Sequence, residues 1–191
     1  MVNFPGLSRN DINELALKII KHFQPKVLQG LEAFDIDRFI EIVEDEMQID
    51  FDFTSDLPAG VHGCTSTIDN KVLILSDLVD DPYSIKYARS TIAHETGHVI
   101  LHLPFLRNLS KDKIFSQKKE ENYGLNLYSK KSLRAYEDPE WQAWEFAGAL
   151  LMPKPAITVL KASGSTLYSM ANLFNVNKVF LDSRLRKLKM I

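Results

Sequence analysis

His94 and His98 stand four residues apart, with Glu95 directly after the first, in the run His94-Glu95-Thr96-Gly97-His98. Positions four apart lie almost above one another on an α-helix, about 6 Å along its axis. Two imidazoles so placed can converge on one tetrahedral metal ion at roughly 2.0–2.1 Å per bond. Glu95 then projects to the side of the ion, where it can hold and deprotonate a water instead of becoming a ligand. The chemistry that fits these residue types at this spacing is metal-assisted hydrolysis. The plain alternative is a surface helix carrying two incidental histidines.

The flanks argue for a helix held tightly by a core. Asp81-Pro82 is the expected start, an N-cap followed by proline at a position where its missing N–H is harmless. Ile85, Ala88, Ile92, Val99, Ile100 and Leu103 recur at helical steps, and Pro104 is expected to end the run. Ionisable groups set into so apolar a helix are costly to bury unless a cation or another partner sits among them. Gly97 weakens the helix by about 1 kcal/mol relative to Ala, so a close backbone approach or room above the metal is expected there.

Two histidines leave the site one protein ligand short of the usual catalytic three plus water. His102 continues the four-residue spacing, but each such step turns the side chain about 40° further round, so it reads as a helix-end or outer-shell histidine. An acid from a distant helix is the better third ligand. The segment Asp138-Pro139-Glu140-Trp141-Gln142-Ala143-Trp144-Glu145-Phe146-Ala147 repeats the cap-and-proline start. Ala143, Ala147, Leu150 and Leu151 give it a small-residue face for close packing, and Glu140 lies on that face in the first turn. Glu145 lies off the face and is expected to point toward solvent. Glu140 is therefore preferred, the alternative being that both acids only complement the positive end of the helix dipole.

At these residues the chain resembles the ImmA/IrrE family of HExxH metallo-endopeptidases. The likeness rests on Arg89–His98 running into Ile100-Leu101-His102, and on Glu140-x-x-Ala143-x-x-Phe146-Ala147 ending in Leu150-Leu151-Met152-Pro153. A third stretch, Met170-Ala171-x-x-Phe174-x-Val176 followed by Arg184-Leu185-x-x-Leu188, completes it. The resemblance implies a zincin-like domain, one Zn2+ held by His94, His98 and Glu140, and Glu95 as general base. It also implies a protein substrate, a helix-turn-helix repressor whose cleavage switches on phage, mobile-element or stress genes. The family usually carries Asn or Asp where this chain has Trp144, and an indole can donate a hydrogen bond but cannot accept one.

The wider pattern sets the frame. Residues 10–23 and 35–47 read as amphipathic helices, Ile49–Phe53 as a strand, and Val61–Ile68 with Lys71–Ser76 as a hairpin turning at Asp69-Asn70. The expected fold is α+β, with a small antiparallel sheet beside the metal helix and Val72–Leu75 as the strand nearest the cleft edge. Residues 104–136 have weak periodicity and many lysines, and their place between the two ligand helices suggests a flap over the cleft. Ser165–Phe174 and Lys178–Lys189, broken at Asn175-Val176-Asn177, read as a helix-turn-helix-like pair. The expected division is a metallopeptidase domain over 1–160 and a C-terminal helical subdomain over 161–191 packed on it.

Composition narrows the setting. The net charge is −2, which gives no overall pull toward nucleic acid or membrane. The single cysteine, Cys64, cannot close an intrachain disulfide, and no apolar stretch reads as a signal peptide or a membrane span. A reducing, cytoplasmic compartment is the expectation, with no membrane partner. Residues 178–191 hold five Lys/Arg against one acid, which makes DNA the weaker candidate partner and packing or substrate docking the stronger. An oxyanion-stabilising group is not singled out: Tyr123, Tyr128, Tyr136, His62 and His102 are candidates, and Arg89 is better suited to an ion pair. Two rival functions stand beside the peptidase. One is a DNA-binding regulator whose zinc is structural. The other is a non-catalytic interaction protein, such as a toxin–antitoxin component.

Overall fold

The computed structural model describes residues 4–66, 69–108 and 134–191. Helix α1 (Arg9–Phe23) opens on a capping box in which Ser8 and Asp11 exchange hydrogen bonds, and it buries Ile12, Ala16 and Ile20 at four-residue steps. Helix α2 (Ile36–Met47) is capped by Asp35 and buries Ile36, Phe39, Ile40 and Val43. Its chain leaves through Gln48 in the left-handed region, φ 50°.

Three short strands follow: β1 (Asp50–Thr54), β2 (Gly63–Ser66) and β3 (Lys71–Leu75). The sheet order is β1-β3-β2, with β3 parallel to β1 and antiparallel to β2. The sheet is thus mixed, not antiparallel, and Val72–Leu75 is the central strand, not the edge one. The physical reason is burial: β3 is the most apolar strand, Val72 and Ile74 are fully buried, and a strand paired on both sides satisfies its backbone best there. The edge that packs on the metal helix is β2.

After a short helix α3 (Ser76–Asp80) comes α4 (Ile85–Leu101), in which every residue from Ala88 to Val99 is buried. The helix is interior although it carries Arg89, His94, Glu95 and His98, so those buried polar groups need partners there. Its start differs from expectation. Asp81 closes a turn by accepting hydrogen bonds from Ser84 Oγ (2.7 Å) and the Tyr83 N–H (3.1 Å), and α4 begins only at Ile85. Its end differs too: His102 is the C-cap, and Pro104 sits in the first turn of the next helix, α5 (Leu103–Arg107), a position where proline loses nothing.

Helix α6 (Pro139–Leu151) starts at Asp138, whose carboxylate accepts from the Glu140 N–H. It packs across α4 at Gly97, where an added Cβ would lie 3.1 Å from both the Cα and the carbonyl oxygen of Ala143. That close approach of two backbones brings the first turn of α6 alongside the histidines. The remaining helices are α7 (Lys154–Ala162), α8 (Leu167–Leu173) and α9 (Lys178–Lys187), with Asn175 in the left-handed conformation between the last two, φ 52°. Met170, Phe174, Val176, Leu181 and Leu185 join the same hydrophobic core as α4 and α6. Of the expected flap, residues 109–133 lie outside the described residues. No helix among the described residues is long and apolar enough to cross a membrane.

Candidate metal centre

Helix α4 presents His94 and His98 on one face, and the first turn of α6 brings Glu140 against them. The three side chains form a group able to hold a metal ion. His94 Nε2 and His98 Nε2 are 3.1 Å apart, and the Glu140 oxygens lie 3.4 Å from each of them. A tetrahedral ion with bonds of roughly 2.0–2.1 Å keeps its ligand atoms about 3.3 Å from one another. The residues present therefore fit an ion of zinc's size. Burial alone would raise the Glu140 carboxyl, but its hydrogen-bond contacts with His94 and His98 outweigh that and hold it well below the usual carboxylate range.

The protonation of His98 follows from a chain of partners. The Gln142 amide nitrogen donates to the carbonyls of Pro5 (3.0 Å) and Tyr136 (2.7 Å), so its Oε1 is free to accept from His102 Nε2 at 2.9 Å. Burial, reinforced by the neighbouring His98, pushes His102 down to about 3, so it is neutral near pH 7. A neutral His102 that donates through Nε2 must accept at Nδ1, and His98 Nδ1 lies 3.1 Å away. His98 accordingly carries its proton on Nδ1 and turns a bare Nε2 toward His94 and Glu140. Lone pairs that converge in this way repel unless a cation or a proton lies among them, which is the electrostatic case for an ion here.

His94 is supported differently. Its buried Nδ1 has no hydrogen-bond partner among the described residues. The Trp144 indole instead stacks on the ring, with centroids 4.2 Å apart and planes inclined by 33°. Stacking of this kind fixes the ring plane without fixing the tautomer.

Glu95 is buried and turned toward the sheet edge. Its Oε2 accepts a 2.7 Å hydrogen bond from Thr65 Oγ1 on β2. Gly63 leaves space for it, since a Cβ there would come within 2.9 Å of the Glu95 carboxylate. Thr65 is a contact that sequence reasoning missed, because a threonine in a strand is unremarkable until a buried acid faces it. Gln142 was also missed. Its signal was a polar side chain set among apolar residues of a helix, and in the structure it is fully buried.

The other candidates are scattered. His62 Nδ1 pairs with the Tyr87 hydroxyl at 2.9 Å. The Tyr136 hydroxyl accepts from Arg134 at 2.7 Å on the surface, and it is the Tyr136 carbonyl that supports Gln142. Tyr123 and Tyr128 lie outside the described residues. Arg89 forms no ion pair among the described residues; it donates to the carbonyls of Phe34 (2.7 Å) and Asn175 (3.2 Å), tying α4 to the α8–α9 turn. Glu145 does not face solvent. It is fully buried, 2.6 Å from the equally buried Arg184, with Arg9 at 3.3 Å and Lys187 at 3.6 Å. The reason is a partner 39 residues further on, which local periodicity cannot foresee.

The peptidase M78 family, described as the IrrE N-terminal-like domain, matches residues 32–186. The chain belongs to that family, a class of metallopeptidase-like proteins. No curated protein matches the sequence. Among solved structures, a Mycobacterium tuberculosis transcriptional regulator shares the fold with a TM-score of 0.57 at 12% identity. The match covers 92% of this chain and 46% of that one, so the chain spans about half the length of that neighbour.

Proposed function

We propose that the chain is a zinc-dependent endopeptidase of narrow specificity, and that its substrate is a helix-turn-helix transcriptional repressor. The observation that carries the enzymatic reading is the convergence of His94, His98 and Glu140 at tetrahedral spacings, with the Glu95 carboxylate beside His94 in sequence and held by the open sheet edge. The repressor rests on family membership. The reading takes residues 1–160 as a zincin-like catalytic domain and 161–191 as a helical subdomain packed on it, supported by the core that α8 and α9 share with α4 and α6.

His94, His98 and Glu140 would hold the ion, which when bound supplies Lewis-acid polarisation of the scissile carbonyl and acidifies water. The substrate backbone adds as an extended strand along β2, the edge strand adjoining α4, through main-chain hydrogen bonds. Glu95 takes a proton from the attacking water and returns it to the departing amine. Thr65 positions that carboxylate with one hydrogen bond. His102 and Gln142 keep His98 in the tautomer that leaves Nε2 bare.

The test is the Glu95→Gln variant. It should bind zinc as the wild type does and cleave nothing. Its intact partner should co-purify with it, while the wild type cuts that partner at a single site and leaves casein alone. Turnover persisting in Glu95→Gln would refute the mechanism, and broad digestion of casein by the wild type would refute the narrow specificity.

A further inference from the structure

A cavity of about 410 Å³ opens beside the metal centre, between α4 and α9. Its apolar wall is made by Trp144, Phe180, Val179 and Tyr87, with Ser90 and Ser183 at polar points. Two features tie it to the centre. Trp144, which stacks on His94, is also part of the cavity wall, and its ring meets Phe180 edge-on with centroids 5.8 Å apart. Ser90 and Tyr87 lie four and seven residues before His94, on the same face of α4. Trp144 is thus a wall shared by the cavity and the candidate metal centre.

Trp144 and Phe180 pack partly against the hydrophobic core. Val179 completes the wall and is 81% exposed, so it adds little to that core. A volume of this size lies in the range of small-molecule pockets and accommodates one large side chain with room to spare.

We propose that this cavity is the specificity subsite of the enzyme and receives an aromatic or long aliphatic side chain of the substrate next to the scissile bond. The inference rests on the metallopeptidase reading and narrows its substrate class. An acidic side chain is the rejected alternative: among the described residues the one cation on the lining is Lys187, and it already lies 3.6 Å from Glu145.

The test uses hydroxamic acids as metal-directed probes on the zinc-loaded full chain, with zinc content measured as a control. Acetohydroxamate carries no arm, 3-phenylpropionohydroxamate carries an aromatic one, and succinic monohydroxamate an anionic one. The aromatic probe should bind on the order of 10- to 100-fold more tightly than acetohydroxamate, the gain expected for burying a phenyl group. Ser183→Trp, which fills the mouth from an exposed position, and Phe180→Ala, which removes a wall, should both erase most of that preference and leave zinc content unchanged. An unaltered aromatic preference in both variants, or a preference for the anionic arm, overturns the subsite while acetohydroxamate binding upholds the metal reading. Failure of every probe to bind the zinc-loaded chain overturns both.

Discussion

Glu140 and Glu145 lie five residues apart on the same helix and occupy opposite electrostatic worlds. Glu140 is partly open to solvent and faces two imidazoles. Glu145 is fully buried among Arg184, Arg9 and Lys187, a carboxylate surrounded by its cations already. The first is arranged to bind; the second is arranged to clamp α9 and α1 onto α6. Arg184 extends the clamp by donating to Asn13 and to the Met152 carbonyl. A basic residue that looks available for DNA in the sequence is thereby spent inside the protein. One acidic helix can thus serve both chemistry and stability, and the difference lies wholly in what the opposite helices supply.

The sharpest way to break this comparison is to remove each acid in turn. Glu140→Ala should lower zinc affinity by more than the roughly 10- to 100-fold that loss of an outer partner causes, with little change in thermal stability. Glu145→Ala should leave zinc affinity per folded molecule intact but destabilise the chain by about 3–5 kcal/mol, because Arg184 is left buried and uncompensated. Chelator competition and thermal unfolding of the two variants measure both axes. A crossed result, with Glu145 governing zinc, would end the assignment.

The two histidines sharpen it further. His98 is wired through His102 and Gln142 to backbone carbonyls, whereas His94 is held by a stacked ring alone. Gln142→Leu should therefore weaken zinc binding by roughly 10- to 100-fold. Equal affinities for this variant and the wild type would show that the relay does not set the His98 tautomer.

A separate expected effect is a pH dependence of the metal-free chain. His102 is held at about 3 by burial, below its ordinary value of 6.5, so the unfolded chain takes up that proton first as pH falls. The stability tied to neutral His102 is complete above about pH 6.5 and lost as pH drops toward 3, with a slope of up to about 1.4 kcal/mol per pH unit. Thermal unfolding of wild type and His102→Gln between pH 7 and 4 should show the steeper fall in the wild type.

Much of this architecture was legible from local pattern. The spacing of His94 and His98, the Asp138-Pro139 start and the small face of α6 were enough to foresee two helices and close packing by the second, while Gly97 was read as either a close approach or room above the metal. The hairpin at Asp69-Asn70 and the left-handed Asn175 were legible for the same reason, since both depend on residues close in sequence. What escaped was set at long range. Period-two alternation marks a strand but carries no information on its direction, so the parallel pairing of β1 with β3 was not foreseen. Glu145 reads as a surface acid until Arg184 arrives from the far end of the chain, and Thr65 acquires its role only when α4 packs on β2.

The central claim is that His94, His98 and Glu140 together hold one zinc ion while Glu95 stays off it. X-ray absorption at the zinc edge, recorded on the loaded wild type and on Glu95→Gln, tests this directly. The account predicts two imidazoles and oxygen at roughly 2.0–2.1 Å in both proteins, with identical spectra. A third imidazole from His102, a sulfur at about 2.3 Å from Cys64, or a coordination shell that changes with Glu95→Gln would contradict it.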